Sequence, residues 1–290
     1  MGPYEFLIAP FAEFPFMQRA LVGTLALAAG AAPIGVFLML RRMSLTGDAM
    51  AHAILPGAAM GFLIFGLELL PMTIGGIIAG LTVVLLSGLV TRFTPQREDA
   101  SLAAFYLLSL ATGVTIVSMR GSSIDLMNVL FGTVLALDNL ALLFIATTTT
   151  VTLFVLAVIL RPLVLECADP RFLSVVSGAG GIVHMAFMML VVLNLVAGFQ
   201  ALGTLLAVGL MMLPAAAARF WSRELMMMIV IAFGVAAVAG IAGLLGSYHL
   251  GAPSGPSIIL SAGLLYIGSL VFGSTGGLAR GLFARSHRTA

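Results

Sequence analysis

Leu225-Met-Met-Met-Ile-Val-Ile-Ala-Phe-Gly-Val-Ala-Ala-Val-Ala-Gly-Ile-Ala-Gly-Leu-Leu245 is a segment without one charged side chain. An α-helix needs about 20 apolar residues to cross a hydrocarbon core of ~30 Å. Segments of this kind recur along the 290-residue chain, which is 61% hydrophobic and 8% charged and has a mean hydropathy of +1.19. The sequence therefore predicts an all-α polytopic membrane protein.

The apolar segments predict a bundle of about nine transmembrane helices, with eight as the lower number, in a single domain that covers residues 1–290. Residues 120–140 and 172–182 are the least regular parts, where short surface or re-entrant helices would also fit the sequence. The nine predicted spans are residues 20–40, 49–66, 72–91, 101–119, 140–160, 181–198, 201–218, 225–245 and 257–275.

Arginines are distributed unevenly between the two sets of connections. Cytoplasmic connections of membrane proteins carry an excess of basic residues. Eleven arginines lie in one set of connections, whereas only Arg19 and Arg120 lie in the other. This predicts a cytoplasmic C-terminus and, for an odd number of spans, an N-terminus on the outer side. The eleven are Arg41, Arg42, Arg92, Arg97, Arg161, Arg171, Arg219, Arg223, Arg280, Arg285 and Arg288.

The chain contains no lysine, and this limits how it can use ATP. A phosphate-binding loop of the GxxxxGK[ST] type requires a lysine, so an ATP-driven function would need a separate ATPase subunit. The single Cys167 excludes an intramolecular disulfide and a metal site with several thiolates. We expect no permanently bound cofactor and no nucleic-acid partner.

Asp48 and His52 stand out within the segment Met43-Ser-Leu-Thr-Gly-Asp-Ala-Met-Ala-His-Ala-Ile-Leu-Pro-Gly57. Ionisable groups at membrane depth are costly and tend to mark an ion or substrate pathway. Residues four apart share one face of a helix, and a carboxylate with an imidazole suits manganese, iron or zinc. A buried Asp–His hydrogen bond that only joins two helices explains the same pair, and the residues alone leave both interpretations open.

The predicted topology also gives this pair a depth. Along a continuous helix from Arg42, at 1.5 Å per residue, Asp48 would lie roughly 9 Å and His52 roughly 15 Å into the membrane. A metal held near the midplane would be shielded from both sides.

Two other histidines and the GxxxG segments are better explained by packing or solvation than by metal binding. His184, early in the sixth span, is better interpreted as a satisfied core group than as a ligand. His249, in a predicted outer loop, would be solvated or would meet an incoming metal. Gly57-Ala-Ala-Met-Gly61 and Gly76-Ile-Ile-Ala-Gly80 have the GxxxG spacing that allows helices to approach closely.

Four segments together resemble one family, the membrane permeases of ATP-binding-cassette importers for zinc, manganese and iron. The segment from Leu40 to Gly57 is similar to the family's arginine-rich turn followed by Gly-Asp-Ala-x-x-His-Ala-x-x-Pro-Gly. Leu130-Phe-Gly-Thr-Val-Leu-Ala-Leu137 is similar to its Leu-Phe-Gly-x-Ile-Leu-Ala segment. Residues 200–219 and Ser247-Tyr-His-Leu-Gly-Ala-Pro-Ser-Gly-Pro256 match two further segments in the same order.

The resemblance implies a fold similar to the cobalamin and siderophore importers, with one fewer span at the N-terminus. It implies a homodimer in the bacterial inner membrane, with two cytoplasmic ATPase subunits and an extracytoplasmic metal-binding protein. Asp48 and His52 match the positions where the family is thought to hold metal in transit. The expected function is ATP-driven import of a divalent transition metal.

The end of the seventh predicted span suggests where an ATPase would dock. Pro214 lies at its cytoplasmic end, and a short helix in residues 215–224 would fit a groove on the ATPase. A plain polar turn anchored by arginines is the other interpretation, and the resemblance favours the coupling role. The predicted coupling residues are Pro214, Ala215, Ala218, Arg219, Arg223 and Glu224.

Two other functions fit parts of the sequence. A proton-coupled secondary metal transporter would use Asp48 and His52 as a proton relay, and an inverted repeat would favour it, but none is evident. An intramembrane metalloenzyme would need about three protein ligands, and an HExxH motif is absent.

Overall fold

The computed structural model describes residues 2–66, 68–119, 134, 137–169, 178 and 180–278, and all structural statements below concern these residues. Within them the chain forms α-helices joined by short connections, without β-strands. The helices are α1 (Pro3–Leu7), α2 (Ala9–Glu13), α3 (Pro15–Leu40), α4 (Thr46–Phe65), α5 (Leu69–Phe93), α6 (Glu98–Met119), α7 (Asn139–Ala168), α8 (Gly180–Leu202), α9 (Thr204–Ala218), α10 (Leu225–Leu250) and α11 (Ser254–Phe272).

The prediction of an all-α polytopic membrane protein is confirmed. Among the described residues, eight helices are long and apolar enough to cross a membrane: α3 to α8, α10 and α11. The predicted seventh span corresponds to α9, which has 15 residues and is about 22 Å long. Most of residues 120–140 and 172–182, where we expected short helices, lie outside the described residues.

Helix α9 is a short helix inside the bundle that leads the chain back from the end of α8. Gly203 separates it from α8 and has φ +93°, a conformation that glycine adopts without a steric penalty. Most of its side chains are buried against α3, α10 and α11, so α9 does not need the length of a lipid-facing helix.

Two groups of helices meet around α8. Helices α4, α5 and α6 pack together, α3 packs with α9 and α10, and α11 packs on α9 and α10. Helix α8 contacts α3, α4, α5, α7 and α9, so it joins the two groups. Its buried residues, among them Phe187, Val191 and Leu195, form the centre of the largest apolar cluster.

The close packing predicted from the GxxxG spacing is confirmed between α4 and α5. Cβ atoms added at Gly57 or Gly75 would collide with the other residue's backbone carbonyl, and one at Gly61 would meet the Pro71 backbone. Gly76 and Gly80 face side chains of α4 and α8. Glycine here lets α4 lie directly against α5.

The helix ends that we predicted to be cytoplasmic lie together at one end of the bundle. Residues 39–40 at the end of α3 share a cavity with Arg219 and Arg223 after α9 and with Thr275 after α11. Side chains at positions 41, 98, 166 and 184 also meet at one point. The chain therefore returns to this end after α9. Helix α9 thus connects the two ends of the bundle, in addition to the eight longer helices among the described residues.

His249 differs from its predicted loop position. It lies in the last turn of α10, and its ring stacks on Phe6 with 4.2 Å between centroids. Its Nε2 atom lies 3.0 Å from the backbone carbonyl oxygen of Phe6. His249 therefore attaches the N-terminal helices to the end of the bundle that is remote from Arg219.

Candidate metal pathway and coupling turn

Asp48 and His52 lie on one face of α4, one turn apart, as predicted. The His52 Nε2 atom is 3.8 Å from the Asp48 Oδ1 atom, too far for a direct hydrogen bond. The ring of His52 lies 6.4 Å from that of Tyr106 on α6, in a stacked orientation, and its buried Nδ1 atom has no hydrogen-bond partner. The pair is therefore not locked by mutual hydrogen bonding, and a cation can be held between its two side chains.

The helix assumed in estimating the depth of the pair does not form. That estimate assumed a continuous helix from Arg42, but residues 41–45 form a turn and α4 begins at Thr46. Asp48 therefore lies in the first turn of α4, and His52 only about 9 Å along its axis from Thr46. The Asp48 side chain is 66% exposed and that of His52 is 35% exposed, so the single chain does not shield a metal here.

A small cavity opens beside Asp48. Its volume is about 250 Å³, and it lies between the α3–α4 turn and the first turns of α6. Asp48, Asp99, Tyr106 and Arg42 are among the residues that line it. Asp99 is exposed, and its carboxylate is 4.0 Å from the Arg97 guanidinium. Of the two acidic groups, only Asp48 has an imidazole one helical turn away.

The pair alone does not complete a metal coordination shell. Zinc takes about four ligands, and manganese sites are commonly octahedral. No cluster of three or more His, Cys, Asp or Glu side chains suited to a metal occurs in the part of the chain that is described. A metal bound by this pair would therefore need further ligands.

A charged cluster built on a buried ion pair was missed by the sequence analysis. The Arg41 guanidinium, at the end of α3, forms an ion pair with Glu166 of α7, and these side chains are only 7% and 10% exposed. Arg41 Nη1 lies 3.1 Å from His184 Nδ1, and the opposite ring nitrogen of His184 lies 2.8 Å from Glu98 Oε1. The available signal was Glu166 itself, which is the only acidic residue within α7.

The predicted coupling residues divide into a buried and an exposed set. Pro214, Ala215 and Ala218 are buried in α9, where both alanines pack against α3 and α10. Arg219, Arg223 and Glu224 are exposed. The expected short helix in residues 215–224 does not form, because α9 continues through Pro214 to Ala218 and only a turn remains before α10.

This turn, residues 219–224, is held by the segment that follows α11. The Thr275 backbone N–H donates to the Phe220 carbonyl oxygen at 2.8 Å, and the Thr275 hydroxyl donates to that of Trp221 at 2.9 Å. Trp221 remains 41% exposed between the two arginines, which themselves line a cavity of about 550 Å³. Sequence analysis did not identify Trp221, although a single tryptophan between two arginines was a usable signal.

An apolar helical bundle with an Asp–His pair on an accessible helix face and a basic turn at the same end agrees with the permease expected from the motif segments. The chain belongs to the ABC 3 transport family, whose model matches residues 13–273. It is thus the permease component of an ATP-binding-cassette importer, as the four motif segments predicted.

Individual relatives agree with this membership. The chain is 32% identical over 255 residues to the manganese import system permease protein ScaB of Streptococcus parasanguinis, covering 88% of this chain and 90% of that protein. It is 28% identical over 269 residues to the chelated iron transport system membrane protein YfeD of Yersinia pestis, covering 93% and 89%.

A solved structure has the same fold. PsaBC from Streptococcus pneumoniae, in complex with Fab, superposes with a TM-score of 0.82 at 28% identity, covering 97% of this chain and 99% of that one. An inward-facing putative metal-chelate type ABC transporter has a TM-score of 0.66 at 16% identity, covering 87% and 85%, and supports the fold alone.

Proposed function

We propose that this permease carries a divalent transition metal past Asp48 and His52, and that Mn²⁺ is the first metal to test. The observation that carries the proposal is the exposed carboxylate with an imidazole one turn away, beside a cavity at one end of the bundle. This donor set suits Mn²⁺, Fe²⁺ and Zn²⁺ better than Cu⁺. The names of the relatives mention manganese and chelated iron, which agrees with that range.

The exposure of the pair supports a site between two copies of the chain. In a homodimer with the two α4 helices facing one pathway, two Asp–His pairs would supply four side-chain ligands. The same arrangement would remove Asp48 from bulk solvent, which the single chain does not do. We therefore propose a homodimer in the bacterial inner membrane, surrounded by lipid.

The absence of lysine and the exposed basic turn support a role for separate ATPase subunits. Without a lysine it cannot form a phosphate-binding loop, so two cytoplasmic ATPase subunits would supply the energy. The exposed Arg219, Trp221 and Arg223 offer them a docking surface. An extracytoplasmic metal-binding protein would deliver the metal at the opposite end of the bundle, where His249 lies.

Reconstitution tests this function against a proton-coupled mechanism. The permease, its ATPase and its binding protein are placed in proteoliposomes, and uptake of Mn²⁺ is measured with ATP or with a proton gradient. We expect uptake that needs ATP and persists when a protonophore collapses the gradient. Uptake driven by the gradient without ATP would contradict the proposal.

The orientation gives a second prediction. Single cysteines are introduced at Arg97 and at Leu250 in a chain with Cys167 replaced by serine, since both positions are exposed at opposite ends of the bundle. A membrane-impermeant maleimide added outside intact cells should label position 250 and should label position 97 only after permeabilisation. The reverse pattern would overturn the assignment of the cytoplasmic end.

A further inference from the structure

The cluster of Arg41, Glu98, Glu166 and His184 joins the ends of four helices, α3, α6, α7 and α8. Its hydrogen bonds define one tautomer of the histidine. A guanidinium only donates, so His184 Nδ1 accepts from Arg41, and the ring proton on Nε2 is donated to Glu98. Arg41 therefore binds Glu166 and His184 at the same time, which a planar guanidinium with several donors can do.

This geometry is not that of a metal site. Glu98 Oε1 lies by the Nε2 atom of His184, whereas Glu166 Oε1 lies 3.6 Å from the Nδ1 atom on the other side of the ring. One cation cannot contact both carboxylates and one nitrogen of that imidazole. The position between Glu166 and the ring is already filled by a cationic group, the guanidinium of Arg41.

The cluster is instead connected to Asp48 and His52 through the α3–α4 turn. Arg41 is the first residue of the turn, and Arg42 has a φ of +60°, which is unfavourable for an arginine. The Met43 N–H donates to the Leu38 carbonyl oxygen at 2.9 Å, and the Thr46 N–H donates to the Met43 carbonyl oxygen at 3.1 Å. Thr46 then begins α4, so Asp48 lies in the first helical turn after a short, tightly bonded connection from Arg41.

Burial of the Arg41–Glu166 ion pair supports a positioning role over a contribution to stability. Transferring charges from water is costly, and buried ion pairs are weak evidence for stability. Their best supported use is to fix one arrangement of the parts that they join. The guanidinium also lies 4.9 Å from the ring centre of Phe187 on α8, the central helix. This contact attaches the α3–α4 turn to the buried centre of the bundle.

We propose that Arg41 is a positioning residue for metal transport: by binding Glu166 and His184 it fixes the turn that starts α4 and thereby sets where Asp48 and His52 face the pathway. This inference rests on the proposed function for its effect on transport, but its effect on α4 is independent of any metal. Arg41 is one of the eleven arginines that indicate the cytoplasmic side, and it has this second, internal role.

Arg41→Met tests the proposal in the complete importer. Methionine fills much of the same apolar space but binds neither Glu166 nor His184. Hydrogen exchange of peptides covering residues 42–52 and the apparent KM for Mn²⁺ uptake are measured together. We expect faster exchange in these peptides without a change in residues 225–250. The KM should rise about 10- to 100-fold, as is usual when a group that orients metal ligands is removed.

Two further variants make the test specific. Arg161→Met is the matched control, because Arg161 is exposed on the same helix as Glu166 and lies outside the cluster. It should leave both measurements unchanged. Arg41→Lys keeps the charge but replaces the planar guanidinium with a compact ammonium that is not preorganised to bind Glu166 and His184 together, so it should give intermediate values for both and remains measurable if Arg41→Met is lost from the membrane.

The outcomes separate this inference from the proposed function. Unchanged exchange in residues 42–52 in Arg41→Met and Arg41→Lys would overturn it, and so would exchange that rises equally in residues 225–250. If the wild-type importer takes up no metal, the proposed function fails, while the exchange measurement still decides whether Arg41 positions α4. Faster exchange at an unchanged KM would show that the turn is held without any consequence for the metal pair, which also overturns the inference.

Discussion

Asp48→Asn should reduce ATP-driven Mn²⁺ uptake at least about tenfold while the protein remains in the membrane. The substitution keeps the shape of the side chain and one carbonyl oxygen but removes the negative charge. Interactions with charged groups contribute about 1.5–3 kcal/mol, and 1.4 kcal/mol corresponds to a tenfold change in affinity. Because Asp48 is 66% exposed and makes no close hydrogen bond with His52, its loss should not disturb the packing of α4.

Asp99→Asn is the matched control for this prediction. Asp99 lines the same cavity but has no histidine one turn away and lies close to Arg97. Its replacement should leave uptake within about twofold of wild type, since a solvent-exposed ion pair contributes only about 0–1 kcal/mol. Near-normal uptake by Asp48→Asn would refute the ligand assignment. Equal losses in both variants would show that the total charge of the cavity matters more than the Asp–His pair.

The bundle could be predicted from sequence because segment length and hydropathy are local properties. The predicted span 225–245 matches α10, which begins at Leu225. The predicted span 140–160 ended too early, just before Arg161 and Pro162. The helix continues through both to Ala168, with Arg161 exposed, and this continuation brings Glu166 into the protein interior.

The missed features depend on contacts between distant parts of the chain. The side chain of Arg41 meets that of His184, 143 residues away, and no local pattern indicates this partner. The Asp–His spacing was visible because both residues lie on one helix, whereas their depth depended on where that helix begins. The turn before Thr46 is fixed by the Arg42 backbone conformation and by burial of Met43, which follow from tertiary packing.

Replacing Arg219 and Arg223 together by alanine should lower ATP-driven uptake at least about tenfold. Both side chains are exposed on the turn after α9, and Trp221 is exposed between them. Tryptophan and arginine are enriched among interface residues whose truncation costs 2 kcal/mol or more, which is a factor of about 30 in affinity. Trp221→Ala should therefore have an effect of similar size. Pro214, Ala215 and Ala218 are buried and should act only by holding the turn in place.

The measurement for this prediction is the amount of ATPase that copurifies with the permease, together with ATP hydrolysis and uptake by the reconstituted complex. Arg97→Ala is the control, because Arg97 is exposed at the same end of the bundle but on another connection. It should retain the ATPase and its uptake. If the double variant binds the ATPase and transports normally, residues 219–224 are a solvated polar turn and the ATPase docks elsewhere. If the ATPase stays bound and hydrolyses ATP without uptake, the turn transmits the conformational change, because binding is preserved while coupling is lost.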